Sequence, residues 1–543
     1  MFTKRFLALF LTLTLLCSMG LVFTASADEL VDGKFAETKH ITVEIFNRYN
    51  DGGTDPTDNV FTDYIKQGML EKHNVEVEFV SIGRWTEVDD INTALASESA
   101  PDICVTYSYP TIQTYASMGA VINLNEIDGK PLSEYKDLLP NLWNLLGDTN
   151  IFYDQDPDTG DLWAVEATLA ENARINTFIR EDWLKKLGLD LPTTEEEFHD
   201  CLVAFKENAE LLLGDDAGRM VPYSTSYDVG WRNDHLFAAY IPNDVSDEEL
   251  YINGFDDRHL LYPNYKEGVR VLNQWYNEGL VWKDFALYGS GDTTEDDLMK
   301  AGFVGAFQHN WDYPYRNGED SIAASIKRAA GEDAAYIAVD CFKNDAGLYR
   351  KFLSASVDRK VFFPYTNDEP IASLLYLDFI SDPETVKFLQ IGKEGVNHNV
   401  TADGAYEIVD ASATDNDYKQ NSLYNIDYTI TVNGLYLGDA TPATTALGYA
   451  GVESRLIEAA LAASKNEGRV PETFHCGAIS AEEGVGTALT DKRDTFLCQA
   501  VVASVENFDA KYDAGLEDYL ASGGQDIIDE RAEKLEHYYG YTR

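Results

Sequence analysis

The sequence predicts an α/β protein of two lobes with open sheets. Three observations lead there. At 543 residues the chain is too long for a single hydrophobic core. From Ile41 to Ala96 its patterning alternates strand, helix, strand, helix, the order that makes a parallel sheet with helical crossovers. Further on, Arg174 to Phe205 reads as a strand followed at once by two helices.

Taken in order, Ile41–Phe46 alternates as a first strand, and Val60–Leu70 places Phe61, Tyr64, Ile65 and Met69 on one helical face. Val75–Val80 is a second strand and Trp85–Ala96 a second helix. In such sheets ligands lie beyond the carboxyl ends of strands, so the loops around Tyr49 and Trp85 qualify by position. Ile103–Val105 is a short buried strand running into Tyr107, Thr111–Met118 is helical, and Leu162–Val165 is extended. Asp154 to Asp161 has alternating acids, but its glycine and acid spacing does not fit a calcium loop, and a polar turn with Gly160 at positive φ is the reading.

Ile175, Phe178 and Ile179 mark a strand. Glu181–Leu187 is a short helix that Gly188 ends, and Thr194 with Glu197 forms a capping box for a helix burying Phe198, Leu202 and Phe205. Val221 to Trp231 is mixed. Tyr265–Tyr276 and a segment from Thr294 to Gly302 are helical, with Phe303–Phe307 extended and an aromatic group, His309, Trp311, Tyr313 and Tyr315, just beyond. Tyr336–Val339 and Lys360–Phe363 are strands, Ile371–Phe379 and Pro383–Ile391 helices. Residues 401–441 are loop-rich, and 495–539 is helical in pieces.

Residues 1–27 carry a basic start (Lys4, Arg5), an apolar run and an Ala25-Ser26-Ala27 ending, the pattern of a secretion signal, with an uncleaved anchor as the alternative. Cys17 lacks the setting of a lipid-attachment site, and no later segment is apolar enough to span a membrane. Removing the signal takes two of 42 basic residues and none of 93 acidic ones, leaving a net charge of −53. Such a surface repels nucleic acid and anionic lipid and is compatible with a neutral or cationic ligand. Aromatic content of 12% supports real cores rather than disorder. The remaining cysteines, 104, 201, 341, 476 and 498, are widely spaced without a Cys-x-x-Cys pair, which argues against a zinc or redox motif; disulfides are open, buried thiols the main expectation.

Several patches resemble the extracellular solute-binding proteins of ABC importers, the sugar-binding type. They are Arg174–Phe205; LASESAPDI (95–103), where Glu98 replaces a frequent glycine; YASMGAVINL (115–124); DDLMKAGFVGAF (296–307); IASLLYLDFISDPETVKFLQIGKEGVNH (371–398); and VENFDAKYDAGLEDYLASGG (505–524). Their order along the chain is what persuades. The resemblance implies a two-lobed periplasmic-binding-protein-like (type II) fold with several crossings. Lobe 1 would take 28–167 and 312–395, lobe 2 168–311 and 396–543. It further implies a monomer outside the cytoplasm that closes on an oligosaccharide or related sugar and delivers it to a membrane permease, without catalysis, cofactor or metal.

The sequence lacks His-Glu-x-x-His, Gly-x-Ser-x-Gly and the phosphate-cradling lysine loop. A secreted carbohydrate-active hydrolase needs only two facing carboxylates and stays the alternative; an adhesion or sensory module is a third reading. A sugar site combines flat rings with polar groups, since ring faces match the C–H faces of sugars. Tyr49, Trp85, Tyr107, Trp231, Trp311 and Glu394 are the candidate ligand-binding residues, each weighed against an ordinary packing role. Trp183 reads as packing and Asp182 as a helix-start charge.

Overall fold

The computed structural model describes residues 30–48, 55–289, 291–409, 418–420 and 422–543. Residues 1–27, read from sequence as a secretion signal, and Tyr49 lie outside them. Ten strands build the two main sheets: β1 (Lys39–Asn47), β2 (Val75–Gly83), β3 (Cys104–Thr106), β4 (Val165–Leu169), β5 (Ile175–Arg180), β6 (Val221–Ser224), β7 (Val304–Asn310), β8 (Tyr336–Val339), β9 (Val357–Phe362) and β10 (Val432–Asn433).

β1 and β2 pair in parallel over their whole length, from Lys39 opposite Val75 to Asn47 opposite Gly83. A parallel bridge between Val43 and Ile103 joins them to the run β3-β9-β4-β10. The first sheet therefore reads β2-β1-β3-β9-β4-β10, with β9 alone antiparallel to its neighbours. The second sheet has the order β8-β5-β7-β6, with β6 and β7 parallel and β5 antiparallel to both of its partners.

Local signals explain the elements between them. The helix Val60–His73 starts where the Asn59 side chain accepts from the amides of Phe61 and Thr62, while Thr62 Oγ1 accepts from the Asn59 amide. Its buried face carries Phe61, Ile65 and Met69. The helix Glu195–Glu207 is capped by Thr194, whose hydroxyl accepts from the Glu197 amide at 3.2 Å. The reciprocal half of the expected box is displaced by one residue: the Glu197 carboxylate accepts from the amide of Thr193 instead. Gly188 takes the left-handed position that ends Glu181–Leu187. Asp154 to Asp161 is a turn in which the Asp156 carboxylate accepts from the amides of Asp158 and Thr159.

Two separate apolar cores divide the molecule into lobes. One gathers Ile41, Phe61, Leu142, Val361, Leu375 and Tyr428 around the first sheet; the other gathers Phe178, Phe205, Trp275, Phe307, Tyr336, Leu456 and Phe496 around the second. Among the described residues the chain crosses three times: between β4 and β5, between β8 and β9, and between β10 and the helix Ser454–Lys465, which packs on β8 and β5.

Two of these crossings correct the boundaries expected from sequence. Tyr336–Val339 pairs with β5 in the second sheet, so lobe 2 continues well past residue 311, and residues 428–433 still belong with lobe 1, past 395. The aromatic group after β7 marks no crossing. Tyr315 Oη donates to the Tyr336 carbonyl and Tyr336 Oη to that of Val304, which ties this segment into the second sheet. The expected strand Leu162–Val165 also begins later, because ladder pairing starts at Val165.

At the hinge the three connectors are laced together. The Ala170 amide donates to the Asn433 carbonyl, the Leu169 amide to that of Ser356, and the Ser354 amide to that of Asn172. The carboxyl ends of β1 to β4 in lobe 1, and of β6, β7 and β8 in lobe 2, all lie at this edge, since Thr168 is opposite Val357 and Ile175 opposite Asn310.

The candidate ligand cleft

On the lobe 1 side the residues just past the strand ends form one cluster. Arg84, following β2, lies with its guanidinium 4.0 Å from the Tyr107 ring centre, 5.1 Å from that of Trp85 and 5.3 Å from that of Phe46. It donates to Glu87 at 2.8 Å. Arg48, following β1, forms a two-pronged pair with Asp427, both bonds 2.8 Å. Trp85 is 63% exposed, an unusual position for so large an apolar ring, whereas Tyr107 is half-buried and stacks on Phe46.

On the lobe 2 side Trp231 occupies the loop after β6. Its indole donates to Asn310 Oδ1 at 2.8 Å, which fixes the ring at the end of β7. The guanidiniums of Arg174 and Arg258 lie 4.9 and 4.8 Å from its ring centre. Arg258 pairs with Asp228, and Arg174 donates to the Asp257 carbonyl. Beside Trp231 a cavity of ≈ 250 Å³ opens, walled by Trp282, Tyr288 and Tyr313 and by the carboxylates of Asp228, Glu295 and Asp296. His309 stacks on Tyr313 at 3.4 Å and is held neutral, its pKa driven well down by burial and by the nearby Arg232 and Arg316 charges.

The structure thus brings Trp85 and Tyr107 together on one face and sets Trp231 on the facing edge of the other lobe. Trp311 is not with them: it is 8% exposed, edge-on to Tyr449, within the core of lobe 2. Its position in the loop just after β7 matches that of a cleft residue, but its ring turns inward. Glu394 is exposed in the turn after the helix Pro383–Ile391, next to the hairpin 398–408, and shares no bond with the cleft groups. Tyr49 lies outside the described residues. Trp183 packs in the core on Phe205, as expected, and Asp182 also pairs with the buried Arg180.

Sequence reasoning passed over Arg48, Arg84, Arg174 and Arg258. For three of them a signal was available: Arg48 and Arg84 directly follow a strand, and Arg174 directly precedes one, whereas Arg258 borders none.

Two hinged α/β lobes with ring-bearing loops at apposed strand ends define a two-lobed solute-binding architecture. The sequence model of the bacterial extracellular solute-binding protein family matches residues 52–386, and the chain belongs to that family. Among curated relatives, lipoprotein LipO of Bacillus subtilis is 24% identical over 57% of this chain and 59% of its own length. The fructooligosaccharide ABC transporter substrate-binding protein FusA of Streptococcus pneumoniae is 30% identical over 26% of this chain and 23% of its own. The polygalacturonan/rhamnogalacturonan-binding protein YtcQ of B. subtilis is 21% identical over 67% and 68%. The matched stretch thus spans less than two thirds of the first two relatives. Among solved structures, FusA in complex with kestose superposes with a TM-score of 0.63 at 15% identity, covering 92% of this chain and 100% of that one. Alginate-binding protein AlgQ2 superposes with 0.62 at 16% identity, covering 94% and 99%. Among the described residues no helix is long and apolar enough to cross a membrane.

Proposed function

We propose that this protein is the extracytoplasmic binding component of an ABC importer, that it holds an oligosaccharide between its lobes, and that it hands the sugar to a membrane permease without altering it. The observation that carries this is the placement of Trp231, fixed by Asn310 at the strand edge of lobe 2, opposite the Arg84–Tyr107–Trp85 cluster at the strand edge of lobe 1. Rings stack on sugar faces, while carboxylates and guanidiniums take the hydroxyls. Three relatives or neighbours with stated ligands, FusA, YtcQ and AlgQ2, bind carbohydrate, which supports the same reading. Contacts to both lobes would stabilise the closed arrangement, so binding and closure are linked.

The test is calorimetry with a panel of oligosaccharides, followed by chromatography of the recovered sugar. Saturable binding with sugar unchanged is the expected result. Product formation would favour the hydrolase reading, and no binding across the panel would remove the proposal.

A further inference from the structure

We propose that the cleft selects an uncharged oligosaccharide and discriminates against one built of uronic acids. This rests on the reading of the cleft as a sugar site and adds the charge of the ligand.

The argument begins with the guanidiniums. A carboxylate ligand is held best by an arginine whose two-pronged edge is free. Here most of those edges are taken by the protein's own groups. Arg48 on Asp427 and Arg258 on Asp228 are two-pronged pairs, while Arg84 donates to Glu87 through one Nη, and its Nε, without a partner among the described residues, is buried out of a ligand's reach. Arg232, which lines the cavity, makes bonds of 2.5 and 2.7 Å to Glu295. Arg174 donates to the Asp257 carbonyl at 2.6 Å and meets the His259 ring at 3.0 Å, and its charge is offset by Asp257 and Asp234 close by.

The acids of the cavity are in surplus. Beyond Asp228 and Glu295, which have arginine partners, Asp292 and Asp296 also line it. Among the described residues Asp292 accepts from the Thr294 amide and hydroxyl, and Asp296 from Tyr313 Oη at 2.8 Å. Among the described residues neither forms an ion pair. His309 adds no charge, because burial and two arginines keep it neutral. Carboxylates only accept, so a hydroxyl-rich ligand completes them, whereas a ligand carboxylate brings no donor and meets like charge. The whole chain, with a formal charge of −51, adds a long-range field of the same sign.

The experiment is a binding panel at pH 7 of neutral fructo-, xylo-, gluco- and galacto-oligosaccharides beside oligogalacturonate and oligoalginate of matched length. At least one neutral sugar should bind, with every uronate at least 100-fold weaker. In the double variant Asp292→Asn, Asp296→Asn, the uronate penalty should shrink about tenfold, and added salt should narrow the gap in the unchanged protein. A uronate among the tightest ligands would overturn the proposal and leave the sugar reading standing. A gap that neither salt nor the double variant moves would show that shape, not charge, makes the choice. If no sugar binds, the sugar reading falls and this inference falls with it.

Discussion

Tyr538, on the last helix of lobe 2, donates its hydroxyl to the Asp158 carboxylate of lobe 1 at 2.5 Å. It is part of a seam between the 153–161 turn and the C-terminal region. Tyr153 Oη meets Thr473 Oγ1 at 3.1 Å, and the Tyr153 ring stands edge-on to His475. The pair bridges the lobes in this conformation, so its loss should favour wider ones. Tyr538→Phe is expected to increase the radius of gyration of the unliganded protein in small-angle scattering. An unchanged profile would mean that the seam carries no weight in setting the lobe angle.

Trp231 and Trp311 should behave oppositely. Trp231→Ala removes a half-exposed ring from the cleft and should weaken sugar binding at least tenfold, about 1.4 kcal/mol, with little change in melting temperature. Trp311→Ala excavates a core and should cost about 3–5 kcal/mol of stability. Calorimetry and thermal melts on both variants check this, and a stable Trp311→Ala protein with lost affinity would return that residue to the cleft.

Glu166 makes a pH prediction. It is 1% exposed, with Lys360 Nζ at 3.2 Å from its carboxylate. Burial, then the neighbouring Asp154, holds its pKa well above the usual carboxylate range, against the pull of Lys360. Folding therefore takes up a proton between the unfolded and folded values, and the site's contribution to stability falls as pH rises through that window. Glu166→Gln removes this linkage. Its melting temperature relative to the parent should shift in its favour on going from about pH 5 to about pH 8, starting just above the unfolded value. A difference flat in pH would contradict the assignment.

The thiols should be inert in the folded protein. Cys201 and Cys498 are pushed up to about 11 and about 12, chiefly by burial, and none of the five described cysteines is paired. Ellman's reagent at neutral pH should label them only slowly, and all five rapidly once denaturant is added. Fast native labelling would mean that the core around the labelled thiol opens, in lobe 1 for Cys104 and in lobe 2 for Cys201, Cys341 or Cys498.

The strands, caps and helix faces were legible in the sequence because their causes are local. Asn59 and Thr194 cap the residues that follow them, and Phe198, Leu202 and Phe205 fall on one face by spacing alone. The cleft was legible in part, since Trp85, Tyr107 and Trp231 follow strand ends. What could not be read depends on distant partners. Tyr336–Val339 carries the pattern of a buried strand, and that pattern does not say which sheet it joins. Arg48 meets a carboxylate 379 residues away. Trp311 and Trp231 differ only in which way a ring turns, and position along the chain does not record that.

Three backbone connectors hydrogen-bonded side by side at Ala170, Ser354 and Asn433 resemble a leaf spring more than a swivel. They flex readily across their common width but resist twist and shear, because those motions must break the bonds between them. The approach of the halves is thereby biased toward a single hinge motion. Under the proposed function, the outer rims would then arrive in a single relative pose whatever the ligand, and a permease would need to recognise only that pose.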